Sequence, residues 1–145
     1  MNFRDFLDLA EDLAQGTTEA EWRTCVSRAY YGAFHVAGDF LRSLGFRVPR
    51  SDRGHGFAWL RLSNSGHTEV ANSGRELKDL RSRRNAADYQ DRPAVTAKDA
   101  EAALIFAQTI VSALDAALDE PVRTQVRDAM KIYEKDVLKE VTWQP

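Results

Sequence analysis

TEAEWRTCVSRAYYGAFHVAGDFLRSLG, residues 18–45, is the stretch whose reading decides the fold. Thr18-x-x-Glu21 is a capping box: the threonine hydroxyl can accept the amide of residue 21 while Glu21 reaches back to the amide of Thr18. No proline interrupts the following residues, and Gly45 closes the segment. One stripe carries Trp22, Val26, Ala29, Ala33, Phe34, Ala37, Leu41 and Leu44, the spacing of a continuous helical core face. A second stripe carries Arg28, Tyr31, Gly32, His35 and Asp39. A helix with one apolar and one aromatic-polar stripe belongs at the centre of a domain, contacted on both sides. Cys25 falls on the core side and reads as a buried, inert thiol.

Working outward, Phe3, Phe6, Leu7, Leu9, Ala10 and Leu13 predict a helix over about 2–15, with Gly16 as a left-handed C-cap. Phe46–Arg53, with Pro49, reads as a loop, and a short helix is expected at about 55–62. Asn64-Ser65-Gly66 reads as a turn, and a longer helix is expected over about 69–89, ended by Asp91-Arg92-Pro93. Thr96-x-x-Asp99 starts the next helix, with Ala100, Ala103, Leu104, Ala107, Ile110, Val111, Leu114 and Leu118 on its apolar stripe. Pro121 suits the first position of a last helix over about 121–140, carrying Val122, Val126, Met130, Tyr133 and Val137. Long periodic segments joined by short loops predict a single all-α domain over 1–145, an antiparallel up-and-down bundle of about five helices.

The chain has 145 residues, enough for one domain, with 43% hydrophobic and 29% charged residues. No apolar run approaches the roughly 18–20 residues of a membrane span. The N-terminal residues lack the basic-then-apolar order of a secretory signal. One cysteine excludes an intramolecular disulfide and any multi-cysteine zinc site, so a cytoplasmic location is expected. The net charge of −2 is unevenly spread. Residues 42–92 hold eleven Lys/Arg against six Asp/Glu, while the rest is acidic. Arginine outnumbers lysine fifteen to five, and its planar fork of donors suits phosphate and carboxylate. A basic middle third fits a nucleic-acid or nucleotide surface, an ordinary solvated face, or an ion-paired dimer seam.

Familiar catalytic motifs are missing: there is no Gly-rich phosphate loop, no His-Glu-x-x-His and no Gly-x-Ser-x-Gly. His35, His55 and His67 lie on separate segments without metal-site spacing, so no metal or cofactor is expected. Two clusters remain. The first is Ser27-Arg28-Ala29-Tyr30-Tyr31-Gly32-Ala33-Phe34-His35, and the second is Leu80-Arg81-Ser82-Arg83-Arg84-Asn85-Ala86-Ala87-Asp88-Tyr89. In this order and about fifty residues apart, the pair resembles the HEPN (higher eukaryotes and prokaryotes nucleotide-binding) domain superfamily, over roughly residues 22–118.

That resemblance implies a helical bundle, usually homodimeric. Many HEPN proteins are metal-independent ribonucleases, often toxins of toxin–antitoxin systems, and others act without catalysis beside a minimal nucleotidyltransferase. In the ribonucleases an Arg, a following polar residue and a His four to six residues beyond the Arg build the active site across the dimer interface. Arg84-Asn85 matches the first two. No His follows: Asp88 or Tyr89 takes its place. His35, which shares a face with Arg28 two turns away, is the candidate for a displaced imidazole if the second helix faces Arg84.

The candidate catalytic set is therefore Arg84, Asn85, Asp88 and His35. The candidate RNA- or nucleotide-binding set is Arg84, Arg83, Arg81, Arg28, Tyr31 and Tyr89. RNA cleavage without metal needs a proton acceptor and donor, roles that suit histidine, and a cation on the phosphate, which suits arginine. Three functions stay open: RNA or nucleotide binding without catalysis, a metal-independent ribonuclease, and a dimeric interaction protein. A homodimer is expected because the second stripe of the central helix would otherwise be left half exposed.

Overall fold

The computed structural model describes residues 1–145 and contains helices only. They are α1 (Asp5–Ala14), α2 (Glu19–Ser43), α3 (Arg53–Ser63), α4 (Thr68–Tyr89), α5 (Ala97–Ala116) and α6 (Val122–Tyr133). A π-helical turn, Glu134–Leu138, continues α6. The count is thus six helices rather than five. No helix is long and apolar enough to cross a membrane.

Local chemistry sets the boundaries. Both capping boxes form: Thr18 accepts from the Glu21 amide and Thr96 from the Asp99 amide, each at 3.2 Å. Gly45 ends α2 with φ +105° and Gly66 turns the chain with φ +73°, conformations that favour glycine. Gly16 does not adopt the left-handed angles expected of it. Its smallness serves a different purpose, since a Cβ there would lie 2.5 Å from the Glu21 carboxylate that binds the amides of Thr17 and Thr18.

α2 is the central element and packs against α1, α5, α4 and α3. Cross-links fix the directions. Arg23, at the start of α2, donates to the carbonyls of Ala87 (2.8 Å) and Gln90 (2.5 Å) at the end of α4, so those helices are antiparallel. Glu19 accepts from the Val95 amide at 2.9 Å, which sets the start of α5 beside the start of α2. Arg4, ahead of α1, grips Asp115 near the end of α5. Val26, Ala29, Ala33, Ala37, Leu41 and Leu44 of the apolar stripe lie in one core of thirty residues with Ala10, Leu77, Leu80, Ile110, Leu114 and Met130. Cys25 is fully buried, and burial pushes its thiol up to about 11.

Several expected core positions differ. Trp22 and Phe34 are only half-buried. Leu9 faces outward on α1, and Leu118 lies past the end of α5. Phe3 precedes α1 rather than belonging to it. The last helix stops short of residue 140. Lys139 turns left-handed (φ 55°), and the chain folds back so that Glu134 receives the amides of Thr142 and Trp143. Val137 is left exposed by that reversal. The second stripe of α2 is covered from within the chain: Leu7 lies over Gly32, Phe6 over the Arg28 guanidinium, and Phe3 on His35. That cover is partial: Arg28, Tyr31 and His35 stay half-buried and Asp39 is exposed.

Candidate functional site

The antiparallel α2–α4 pair brings the two sequence clusters together. Asp88 sits one helical turn beyond Arg84, and its Oδ2 accepts from Arg84 Nε at 3.0 Å. The same oxygen accepts from the Ser27 hydroxyl across the helix interface at 3.2 Å. Arg28 Nη2 donates to Ser27 Oγ at 3.4 Å, and Arg84 Nη1 donates to Asn85 Oδ1 at 2.8 Å. One hydrogen-bonded chain therefore runs Arg28–Ser27–Asp88–Arg84–Asn85. Arg84 is mostly covered, with 13% of its side chain exposed.

Tyr31 stands at the middle of this face. The Arg84 guanidinium carbon lies 4.8 Å and that of Arg28 5.1 Å from its ring centroid. Arg84 also lies 5.5 Å from the ring of Tyr89, which is 76% exposed. Arg81 forms no ion pair, and its Nε is buried without a partner. Of Arg28, Arg81 and Arg84, only Arg84 forms an ion pair, with Asp88. Arg83 does not join them: it points a third of a turn away, pairs with Asp79 at 3.0 Å and lies over Phe106 of α5.

Next to Tyr31 a cleft of about 410 Å³ opens between α2 and the segment leading into α3. Phe3, Tyr31, Phe34, Pro49 and both His35 and His55 line it, with Asp39, Arg42, Arg50, Ser51 and Asp52 at hand. His35 stacks on Phe3, centroids 3.6 Å apart, and lies 6.3 Å from Tyr31. Burial lowers its affinity for a proton, with Asp39 opposing and Arg42 and Arg28 assisting. His55 stacks on Phe34 at 4.3 Å. Burial lowers it too, followed by the charges of Arg81 and Arg84. Both imidazoles are held below their ordinary value and are mainly neutral at pH 7.

His55 is the residue that sequence reasoning passed over. The Tyr30 hydroxyl is bonded to its Nδ1. Tyr30 is buried, and burial pushes its phenol well above the usual range, so it keeps its proton. That proton has no other acceptor, so Tyr30 donates, and neutral His55 carries its own proton on Nε2. The available signal was Tyr30 itself: a phenol on a core face needs a hydrogen-bond partner. Nε2 has no partner in the chain and is not among the sealed polar atoms.

No three His, Cys, Asp or Glu side chains converge as metal ligands. No protein-family model, curated protein or solved structure matches this chain.

Proposed function

We propose that the α2–α4 face binds RNA or a nucleotide, in the manner that the resemblance to HEPN domains implies. The observation that carries this is the arginine pair around Tyr31: two guanidiniums, Arg28 and Arg84, over a half-exposed aromatic ring, with the Asp88 carboxylate bonded to Arg84. Guanidiniums hold phosphate oxygens, and aromatic rings stack bases with little regard to sequence. Arg84 Nε and Nη1 are already engaged, so its remaining Nη2 edge and Arg81 supply the free donors. Titration of a short RNA and of ATP with wild type and Arg84→Ala tests this, with binding expected to weaken on substitution and with added salt.

A second reading, a metal-independent endoribonuclease, is favoured by one observation: His35 lines the cleft beside Tyr31, mainly neutral and without a hydrogen-bond partner on its ring. A neutral imidazole there can take a proton from a 2′-hydroxyl, a role that Asp88, held by Arg84 and Ser27, fills less well. Cleavage that survives a chelator and disappears in His35→Ala would establish it. The same resemblance makes the protein a homodimer with its two-fold axis near α2 and α4. It also makes a nucleotidyltransferase antitoxin the partner class.

A further inference from the structure

The cleft lined by His35 and His55 adjoins the Arg84 network at Tyr31 and has a chemistry of its own. Its volume of about 410 Å³ lies within the roughly 300–1,000 Å³ of small-ligand sites. The lining is aromatic in part, with Phe34 and Tyr31 in edge contact at 6.5 Å and Phe3 stacked on His35. The rim carries Arg50, the Ser51 hydroxyl, the Asp52 carboxylate, and Arg42 and Asp39, which pair with each other at 3.4 Å and would part to engage a ligand. His55 adds a fixed donor, because Tyr30 occupies Nδ1 and leaves the proton on Nε2.

Two cations balanced by two carboxylates do not make a site for a bare anion. They suit a ligand that presents phosphate oxygens, hydroxyl donors and a flat ring together. We infer that this cleft is a pocket for one nucleoside monophosphate unit. Arg42, Arg50 and His55 Nε2–H donate to its phosphate and ring acceptors. Asp39 and Asp52 accept from its ribose hydroxyls, and the ring lies against Phe34 and Tyr31. The inference rests on the nucleotide- or RNA-binding reading and names which unit of such a ligand is held, and where. The unit can come from a free mononucleotide or from a residue of an RNA strand.

Two arms separate these sources and separate this pocket from the Arg84 face. In the first, AMP and adenosine are titrated into wild type, Arg50→Ala and Phe34→Leu by calorimetry. Arg50 is exposed, so its loss does not threaten the fold. Loss of a charge-assisted bond should weaken AMP about tenfold and leave adenosine almost unchanged, while Phe34→Leu should weaken both. The second arm follows the imidazole resonances of wild type by NMR, without any substitution. His35 and His55 should shift with AMP, while His67, the N-cap of α4 outside the cleft, should stay. The same shifts with a short RNA would show that a strand residue enters the pocket; shifts with AMP alone would assign it to free mononucleotide. RNA binding that depends on Arg84 but no AMP binding would overturn the pocket and leave the proposed function standing. AMP binding that ignores Arg50 and Phe34 and moves neither cleft histidine would place AMP elsewhere and also overturn it.

Discussion

Replacing Glu134 by leucine should be among the most damaging single changes in this protein. Glu134 is 0% and Arg61 2% exposed, and their side chains meet at 2.7 Å. The second face of the guanidinium lies 3.4 Å from the Phe57 ring centroid, and its Nη2 is already buried without a partner. Glu134 also accepts from the Thr142 hydroxyl (2.6 Å) and amide (2.9 Å) and from the Trp143 amide (3.1 Å). Burial alone would raise its proton affinity, but the bonds from Thr142 and Arg61 outweigh it and hold it ionised. Glu134→Leu leaves a charge stranded in the interior, which costs about 3–5 kcal/mol against a total of about 5–15 kcal/mol. At about 2–4 °C per kcal/mol, the melting temperature should fall by roughly 6–20 °C. Urea unfolding followed by tryptophan fluorescence reads the loss directly. The companion Arg61→Met/Glu134→Leu removes both charges and should recover most of it, since an apolar pair of similar volume often matches a buried ion pair. A single variant within about 1 kcal/mol of wild type, or a double variant no better than the single, would refute the reasoning.

Two glycine substitutions should differ in sign. A Cβ at Gly74 would meet the Ser63 amide nitrogen at 2.5 Å where α4 crosses α3; overpacking of about 1–3 kcal/mol outweighs a helix-propensity gain of about 1 kcal/mol, so Gly74→Ala should lower the urea midpoint. At Gly56 the nearest atom is 3.9 Å away, so Gly56→Ala should raise the midpoint, with a gain in stability of roughly 0.5–1 kcal/mol. Stability should also narrow at both ends of the pH range. His35 and His55 have folded values below their ordinary 6.5, so the unfolded chain binds more protons, and stability that is complete above 6.5 should decline as pH falls below it. Cys25 is raised from 9.0 to about 11, so its share is present below 9 and lost between there and 11. A urea midpoint that is flat from pH 7 to 5 in wild type, and unchanged in slope in His35→Ala, would count against the acid limb.

The bundle was legible because its signals are local. Capping boxes at Thr18 and Thr96 and the apolar stripe of α2 depend only on spacing along one helix. The C-terminal segment was not legible, because its helix ends for a distant reason: Glu134 is drawn inward by Arg61, and the chain must reverse at Lys139 to complete its hydrogen bonds. The cover of α2's second stripe by Phe3, Phe6 and Leu7 is likewise a tertiary choice; the same stripe reads equally well as a dimer seam. At the candidate site, adjacency of Arg28, Tyr31, Arg84 and Asp88 follows from antiparallel packing of two motif-bearing helices. Arg83 neighbours Arg84 in sequence but lies about 100° around the helix from it, over Phe106 and paired with Asp79. His55 was missed because it enters from a loop-proximal helix start, where no periodicity announces what it will face.

Binding by the Arg84 face is the central claim, and a titration of short RNA with wild type, Arg84→Ala and Arg84→Lys at two salt concentrations tests it most directly. Wild type should bind most tightly and weaken as salt rises, because phosphate contacts release counterions. Arg84→Ala should lose most of the affinity and part of the salt dependence, while Arg84→Lys keeps the charge, loses the planar fork and falls between them. Equal, weak binding by all three proteins at both salt concentrations would contradict the claim and leave the arginine cluster as a device for holding α2 to α4.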